Sequence, residues 1–269
     1  MISEKEKTLL NRVKPYDVEH LYKYRSLDSR GLESIFCQNT IWLSDPLAFN
    51  DPFDCKPKIV THKSQFKRYQ FYKSLISRRF PHFTKKQIKG ELKNNPMFHK
   101  IKTHEYLNET FVKFIKGFGI YCLSEVPDDI LMWSHYSDSH KGICLQFSAN
   151  IKLSIFWEAY KVKYQEDYPS VNIMDIGEYE QFFNLFATKS NHWKYEQERR
   201  IIKTPDEGGS NSYHWNSDLL TGVILGAKIT KKGQETVNEW ISKSPSPINV
   251  YRARINESSY KLDIQGINC

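Results

Sequence analysis

Two glutamates, Glu196 and Glu198, lie two positions apart in the segment YEQERRIIK at 195–203. In a β-strand, such side chains point to the same face. Two carboxylates that close raise each other's pKa unless a neighbouring group separates or uses them. One interpretation is a surface strand whose acids pair with Arg199 and Arg200. The other is a catalytic carboxylate with a helper carboxylate beside it.

The segment HLYKYRS at 20–26 combines cations with aromatic rings. A strand there places Lys23 and Arg25 on one face and Tyr22 and Tyr24 on the other. The two cations are suited to binding a phosphate or a carboxylate. The alternative is an edge strand with a charged outer face.

Two further segments carry polar groups. WLSDPLAFNDPFD at 42–54 is rich in Asp, Asn and Pro, which predicts a rigid loop. Its carboxylates, Asp45, Asp51 and Asp54, are of a type that binds metal ions, but structural turns are the favoured interpretation and no metal is expected. In MWSHY at 132–136, a histidine lies among aromatic residues, which is typical of buried, hydrogen-bonded histidines.

The elements that position these residues are helices and short strands without a regular βα alternation, which favours the α+β class. We expect a single domain over 1–269, with a helical insertion at 60–116. Strands are predicted at 20–26, 40–44, 118–125, 141–148, 157–165, 196–203, 221–229 and 248–255. Helices are predicted at 1–14, 30–39, 62–116, 128–138, 174–193 and 230–244.

The positive charge is concentrated in the predicted insertion. Residues 61–116 hold 14 Lys and Arg against 3 Glu, a balance of +11, whereas the whole chain carries +8. Such a segment is typical of surfaces that bind RNA, DNA or an acidic protein, and the alternative is a solvated helix face. We take Arg78, Arg79, Lys85 and Lys86 as the nucleic-acid-binding residues. The aromatic residues between the charges have helical spacing, which favours a core role.

Several functional classes are disfavoured. The chain has no run of about 18 apolar residues, so no membrane span or membrane partner is expected. Its first residues lack the apolar region of a secretory signal, and its five cysteines include no CxxC pair. These features predict a cytoplasmic protein with reduced thiols. The motifs GxGxxG and GxxxxGK[ST] are absent, which disfavours the usual nucleotide-binding folds.

Together, these segments resemble the prokaryotic domain of unknown function 2971 family over roughly residues 20 to 230. The pattern consists of Lys23-Tyr24-Arg25, Ser44, Asn50–Asp54, Cys122–Glu125, Met132–Tyr136, Lys141-Gly142 and Trp193–Arg199. More distantly, the order of these parts looks like the ADP-ribosyltransferase superfamily. That resemblance implies a split, mostly antiparallel sheet and NAD as a substrate, bound without GxGxxG.

The second resemblance also implies roles for particular residues. Glu198 stabilises the positive charge that develops on the ribose when the nicotinamide bond breaks. Glu196 assists the nucleophile or holds the ribose hydroxyls. The expected NAD-binding residues are Lys23 and Arg25, either of which faces the cleft, together with Tyr24, Ser44, Trp133 and His135. Arg25 holds the phosphates, Ser44 orients the ribose or Glu198, and Tyr24 or Trp133 stacks on nicotinamide.

The expected function is therefore transfer of ADP-ribose from NAD to a macromolecule. A nucleic-acid target implies a toxin or phage-defence effector that requires a neutralising antitoxin or a trigger. Two alternatives remain: an inert nucleic-acid-binding module that uses the basic segment, and a metal-dependent nuclease that uses the Asp-rich loop.

Overall fold

One large sheet dominates the computed structural model, which describes residues 18–94, 104–172, 174–175 and 179–267. The predicted helix at 1–14 lies outside the described residues. The strands are β1 (His20–Arg25), β2 (Thr40–Trp42), β3 (Lys58–Val60), β4 (Gly119–Ser124), β5 (Ile143–Ser148), β6 (Tyr160–Lys161), β7 (Lys163–Gln165), β8 (Ser170–Asn172), β9 (Thr188–Ser190), β10 (Glu198–Lys203), β11 (Ser212–His214), β12 (Leu220–Leu225), β13 (Asn249–Ile255) and β14 (Leu262–Gly266).

The helices lie between these strands without a repeating βα unit. They are α1 (Leu32–Cys37), α2 (Gln65–Arg79), α3 (Lys85–Asn94), α4 (His104–Ile115), α5 (Ile130–Tyr136), α6 (Tyr179–Phe186) and α7 (Lys231–Ser242). Short 3-10 helices cover Pro46–Ala48, Asn191–Glu196, Pro205–Glu207 and Ser217–Leu219. Within the described ranges, no helix is long and apolar enough to cross a membrane.

The large sheet has the order β14-β13-β12-β5-β1-β4-β10-β6. Neighbouring strands run antiparallel except β12 and β13, which are parallel. The prediction of a mixed α and β fold with a mostly antiparallel sheet is therefore confirmed. β5 lies near the middle because its apolar residues are buried on both faces.

Side chains on the two faces of this sheet enter different clusters. Leu21, Leu123 and Leu145 belong to the main apolar core, which helices α1 and α7 also line through Phe36 and Val237. The opposite face carries a second cluster, in which α5 packs Met132 and Trp133 on Tyr24, Cys144 and Ile224. The alternation of HLYKYR along β1 produces this division, because successive side chains point to opposite faces.

β1 and β4 diverge after a short contact. β1 pairs with β5 along its whole length, from His20 opposite Ser148 to Arg25 opposite Ile143. With β4, it pairs at Tyr22 opposite Ser124. The sheet is therefore loosened between these two strands, on the side where Lys23 and Arg25 follow.

The chain divides into two compact units. The first comprises 1–45, 117–164 and 190–269 and contains the large sheet. The second comprises 46–116 and 165–189, so the predicted insertion at 60–116 lies within it. In the second unit, β3 and β8 pair in parallel, and helices α2 and α3 carry the basic residues.

The predicted helix at 174–193 is wrong over its second half. Helix α6 ends at Phe186, and strand β9 and a 3-10 helix follow it. The side chain of Ser190 accepts a hydrogen bond from the main-chain N–H of His192 and so begins the 3-10 helix.

The expectation that the aromatic residues of the basic segment form a core is wrong for α2. No residue of this helix is buried, and 68% of Phe66 is exposed. Further along, the rings of Phe80 and Phe83 stack with centroids 4.7 Å apart. Helical spacing alone does not distinguish an aromatic stripe that enters a core from one that remains on the surface.

Candidate functional site

The segment with the two glutamates is a turn followed by a strand. Glu196 ends the 3-10 helix, Gln197 has a left-handed φ of 42°, and Glu198 begins β10. The N–H of Gln197 donates to the carbonyl of Lys194 and closes the turn. The prediction that both glutamates share one face of a strand is therefore wrong. Both are nevertheless buried, each with 3% of its surface exposed.

Glu198 forms a two-point ion pair with Arg200, two residues along the same strand. Nε of Arg200 donates to Oε1 at 2.7 Å and Nη2 donates to Oε2 at 3.0 Å. The Arg200 side chain is fully buried. The main-chain N–H of Glu198 also donates to the Tyr164 hydroxyl at 2.8 Å. These bonds fix the position of the Glu198 carboxylate.

Glu196 is held by two hydroxyl groups. The Tyr136 hydroxyl donates to its Oε1 at 2.7 Å, and the Ser124 hydroxyl donates to its main-chain oxygen at 2.7 Å. Ser124 lies directly opposite Glu198 in the sheet, so it is next to both glutamates. Neither Tyr136 nor Ser124 was assigned a role from the sequence, although both lie in segments that the resemblance quotes.

Arg199 and Glu125 form a separate ion pair, in which Nε donates to Oε1 at 2.7 Å. Lys161 also contacts Glu125, at 3.0 Å from Oε2. The interpretation of this segment as a surface strand is wrong, because both glutamates and both arginines are buried. The pairing that it included is present for Glu198 with Arg200, whereas Arg199 pairs with Glu125.

The Lys23 side chain reaches from β1 to β4. Its Nζ donates to the carbonyl of Cys122 at 2.6 Å and lies 4.7 Å from the centroid of the Tyr121 ring. Burial lowers its pKa to about 8, and nearby Arg25 adds to this, whereas Glu198 and Glu196 act in the opposite direction. Lys23 is therefore within electrostatic range of both carboxylates.

The lowered pKa of Lys23 gives a prediction about pH. The folded protein releases this proton near pH 8, but an unfolded lysine holds it to about 10.5. Burial of the charged amine therefore lowers the free energy of unfolding below pH 8. This loss of stability becomes smaller as the pH rises towards 10.5, because the folded protein then holds the amine uncharged. We expect Lys23→Met to be more stable, relative to the parent, at pH 7 than at pH 10. Urea unfolding at both pH values measures this, and an equal difference at both contradicts it.

The two aromatic residues predicted to stack on nicotinamide are packed inside the first unit. Trp133 is fully buried, and its Nε1 donates to the carbonyl of Pro127 at 2.8 Å. Tyr24 is also buried, donates to the carbonyl of Val126 at 2.8 Å and meets Trp133 edge to face at 5.3 Å. The structure therefore places both rings in an apolar cluster and not on the surface.

His135 and Tyr195 are more accessible. His135 is exposed, so the expectation of a buried histidine in MWSHY is wrong. Its Nδ1 lies 3.2 Å from the Tyr195 hydroxyl. The Tyr195 ring also lies 6.1 Å from that of Trp193. Tyr195 directly precedes Glu196, so these rings border the carboxylates. Tyr195 lies in the quoted motif Trp193–Arg199. Its contact with His135 depends on the 3-10 helix, which the sequence does not predict.

The structure does not bring Ser44 to Glu198. The main chain of Ser44 pairs with Ile120, whereas Glu198 pairs with Ser124 at the other end of β4. Four residues of strand separate the two positions, a distance of roughly 13 Å. The predicted role of Ser44 in orienting Glu198 is not supported by this geometry, whereas Ser124 contacts Glu196 and pairs with Glu198.

The Cys122 thiol is poorly suited to act as a nucleophile. Burial raises the pKa of its thiol, and the nearby Glu198 carboxylate raises it further. The thiol therefore keeps its proton at neutral pH, and a thiolate is the reactive form.

The Asp-rich loop shows no metal-binding arrangement. Asp51 accepts a hydrogen bond from the N–H of Phe53 at 2.8 Å, and Asp54 lies 3.8 Å from Lys189. Across the residues with described positions, no group of three or more His, Cys, Asp or Glu could hold a metal ion. These contacts are typical of a structural turn.

The predicted nucleic-acid-binding residues are all on the surface of the second unit. Arg78 and Arg79 are in the last turn of α2, and Lys85 and Lys86 begin α3. All four are exposed, and the Arg79 guanidinium lies 5.6 Å from the centroid of the Phe80 ring.

Comparison with known proteins relates part of the chain to a family. No curated protein and no solved structure matches the chain. Residues 132–201 match the model of a family described as "Protein of unknown function (DUF2971)". The matched segment includes Tyr136, Glu196 and Glu198, so it contains both buried carboxylates and the phenol that binds one of them. Over these residues, the chain is similar to the family that its sequence motifs resemble.

Proposed function

We propose that this protein consumes NAD and transfers ADP-ribose to a macromolecule. The observation that supports this most is the position of two buried, fixed carboxylates, Glu196 and Glu198, within electrostatic range of Lys23, with Arg25 next on the same strand face. NAD places a ribose that becomes positively charged near an anionic pyrophosphate. A site with carboxylates on one side and cations on the other complements both parts.

In this proposal, Glu198 stabilises the oxocarbenium-like ribose. Such a carboxylate acts best when it is fixed before the reaction begins, because no reorganisation is then needed. The two bonds from Arg200 and the contact of Tyr164 with the Glu198 main chain provide that fixed position. Arg200 acts through Glu198 and is a positioning residue.

Glu196 is the helper in the same proposal. Its carboxylate is oriented by Tyr136 and its main chain by Ser124. A carboxylate that is held in this way accepts a proton from an incoming hydroxyl or amine, or binds the ribose hydroxyls. The nicotinamide ring then contacts His135 and Tyr195, because Tyr24 and Trp133 are buried.

Incubation of the purified protein with labelled NAD and a cell extract tests the reaction. Glu198→Gln keeps the side chain's shape but removes the charge, so we expect label transfer to fall by about 100-fold or more. Glu235→Gln, an exposed glutamate of α7, is the matched control and should transfer label normally. Intact NAD with the parent protein, or full transfer by Glu198→Gln, contradicts the proposal.

The same variants test whether the enzyme is a toxin or defence effector. Modification of nucleic acid is harmful to the host cell, so expression of the parent is expected to stop growth unless a neutralising partner is present. Cells that express Glu198→Gln should grow normally. Equal growth with both proteins, at equal expression, contradicts this extension of the proposal.

One observation favours a second candidate, the nucleic-acid-binding module. Helix α2 carries basic and aromatic side chains without burying any of them. Cationic surfaces with accessible aromatic rings bind single-stranded nucleic acid through phosphates and base stacking. This activity does not require the carboxylates, so Glu198→Gln is expected to bind RNA or DNA as the parent does.

A further inference from the structure

Two buried polar atoms on the diverging strands have no hydrogen-bond partner among the residues that the structure describes. They are Nε of Arg25 on β1 and the hydroxyl of Tyr121 on β4. Tyr121 is buried, with 3% of its surface exposed. In folded proteins, nearly all buried polar groups are hydrogen-bonded, and an exception calls for a specific cause. A bound molecule that accepts hydrogen bonds is one such cause.

Both atoms lie where β1 and β4 have separated. Arg25 is the last residue of β1, opposite Ile143, and Tyr121 lies on β4 opposite Ile201. The two strands pair with each other at the other end of this region, at Tyr22 and Ser124. Arg25 and Tyr121 therefore lie on neighbouring strands in the stretch beyond this pairing, which we call the gap, and Tyr121 also contributes to the main apolar core.

Two cationic side chains lie beside this gap. Arg25 is the charged residue with the largest influence on the Tyr121 hydroxyl. Lys23, which shares a strand face with Arg25, places its ammonium 4.7 Å from the centroid of the Tyr121 ring. Burial raises the pKa of Tyr121 to about 12, so its hydroxyl is a hydrogen-bond donor at neutral pH. The groups that line the gap are thus an uncharged donor and two cationic donors.

We propose that Tyr121, Arg25 and Lys23 form a binding site for a phosphate-type oxyanion between β1 and β4. A ligand rich in acceptor atoms satisfies donors from two strands at once, and guanidinium groups match phosphate oxygens well. Tyr121 is absent from the site residues that the sequence resemblance implies, so its role as a donor is new. The choice of a nucleotide pyrophosphate as the ligand rests on the proposed function, but binding of the oxyanion does not require cleavage of NAD.

The experiment is calorimetric titration of the whole protein with inorganic pyrophosphate and, separately, with ADP-ribose. Tyr121→Phe removes the hydroxyl alone, and we expect its affinity for both ligands to fall by about tenfold or more. The matched control is Tyr213→Phe. The Tyr213 hydroxyl donates to the carbonyls of Glu207 and Gly209, elsewhere in the first unit. This control should bind both ligands as the parent does. Tighter binding of ADP-ribose than of pyrophosphate in the parent identifies a nucleotide as the source of the oxyanion, and the reverse identifies the free anion.

Thermal unfolding separates a ligand site from a structural role. Because the Tyr121 hydroxyl has no described protein partner, Tyr121→Phe should melt at the parent's temperature or above it in the absence of ligand. If Tyr121→Phe does not fold, the titrations use Arg25→Lys, which keeps the positive charge and removes Nε. We expect the same fall in affinity for both ligands.

Three results overturn the inference: no binding of either ligand by the parent, unchanged affinity in Tyr121→Phe, or an equal loss in Tyr213→Phe. Label transfer from NAD is measured separately. Pyrophosphate binding that depends on Tyr121, in a protein that leaves NAD intact, refutes the proposed function and retains the oxyanion site. Cleavage of NAD by a protein whose pyrophosphate binding does not depend on Tyr121 retains the proposed function and refutes the oxyanion site.

Discussion

Replacement of Arg200 by methionine is expected to lower the free energy of unfolding by about 3–5 kcal/mol. Arg200 is fully buried and binds both carboxylate oxygens of Glu198, which is itself buried. Methionine fills a similar volume with an unbranched apolar chain, so the packing loss is small. The main effect is that the Glu198 carboxylate remains inside the protein without the guanidinium that compensates its charge.

A double replacement separates the charge effect from packing. Arg200→Met combined with Glu198→Gln removes both charges, and we expect it to recover most of the lost stability. The control is Lys243→Met, which removes two ion pairs on the surface, with Glu239 and with Glu33. Exposed pairs contribute about 0–1 kcal/mol, so this variant should unfold almost as the parent does.

Urea unfolding, followed by circular dichroism, measures all of these variants at pH 7. If Arg200→Met loses no more stability than Lys243→Met, the ion pair is not buried as described, and the fixed position of Glu198 in the proposed function loses its support. If the double variant is as unstable as the single one, the loss comes from packing and not from the unpaired carboxylate.

The sequence predicted the strands and helices of this site better than it predicted how they pair and pack. The alternation of HLYKYR along β1 correctly separated Lys23 and Arg25 from Tyr24, because strand geometry is local. Local spacing also predicted the helix that carries Trp133. Neither pattern contains the register between β1 and β4, which depends on residues about 100 positions apart. That register decides which groups lie beside Tyr121.

The left-handed Gln197 explains the largest error in the site. Glycine and asparagine signal such a backbone in a sequence, whereas glutamine does not. EQERRIIK therefore read as one continuous strand, and Glu196 was placed on it. The turn moves Glu196 to the Tyr136 and Ser124 hydroxyls, while Glu198 remains on β10 beside Arg200. For this reason, the Glu196 carboxylate accepts a hydrogen bond from Tyr136 and the Glu198 carboxylate accepts two from Arg200.

The exposure of helix α2 has a similar explanation. Its aromatic residues recur at helical spacing, which predicts an amphipathic helix but does not identify what covers its apolar side. In the structure, this helix buries none of its residues. The basic segment therefore combines exposed positive charge with exposed rings.

Reversal of four charges in this segment is expected to reduce nucleic-acid binding by about 10³-fold or more at low salt. The variant replaces Arg78, Arg79, Lys85 and Lys86 by Glu. All four side chains are exposed, so the change is not expected to disturb packing. Each lysine or arginine that contacts phosphate releases counterions, so binding falls steeply as positive charge is lost.

A second quadruple variant controls for net charge. Replacement of Lys152, Lys228, Lys231 and Lys232 by Glu also reverses four exposed cations, and these lie in the first unit. Each variant changes the net charge from +8 to zero. A general attraction between a cationic protein and an anionic polymer is therefore reduced equally in both. If α2 and α3 form a defined binding surface, the first variant should bind nucleic acid much more weakly than the second.

Fluorescence anisotropy with single-stranded RNA and DNA, at several salt concentrations, measures the effect. In the parent, the logarithm of the affinity should fall linearly with the logarithm of the salt concentration, and the slope should be shallower in the first variant than in the control. NAD binding should be unchanged in both, because the proposed site is formed by the large sheet. If the parent does not bind nucleic acid, or if both variants weaken binding equally, the basic helices are a solvated face. In that case, any macromolecule that the enzyme modifies is recognised elsewhere.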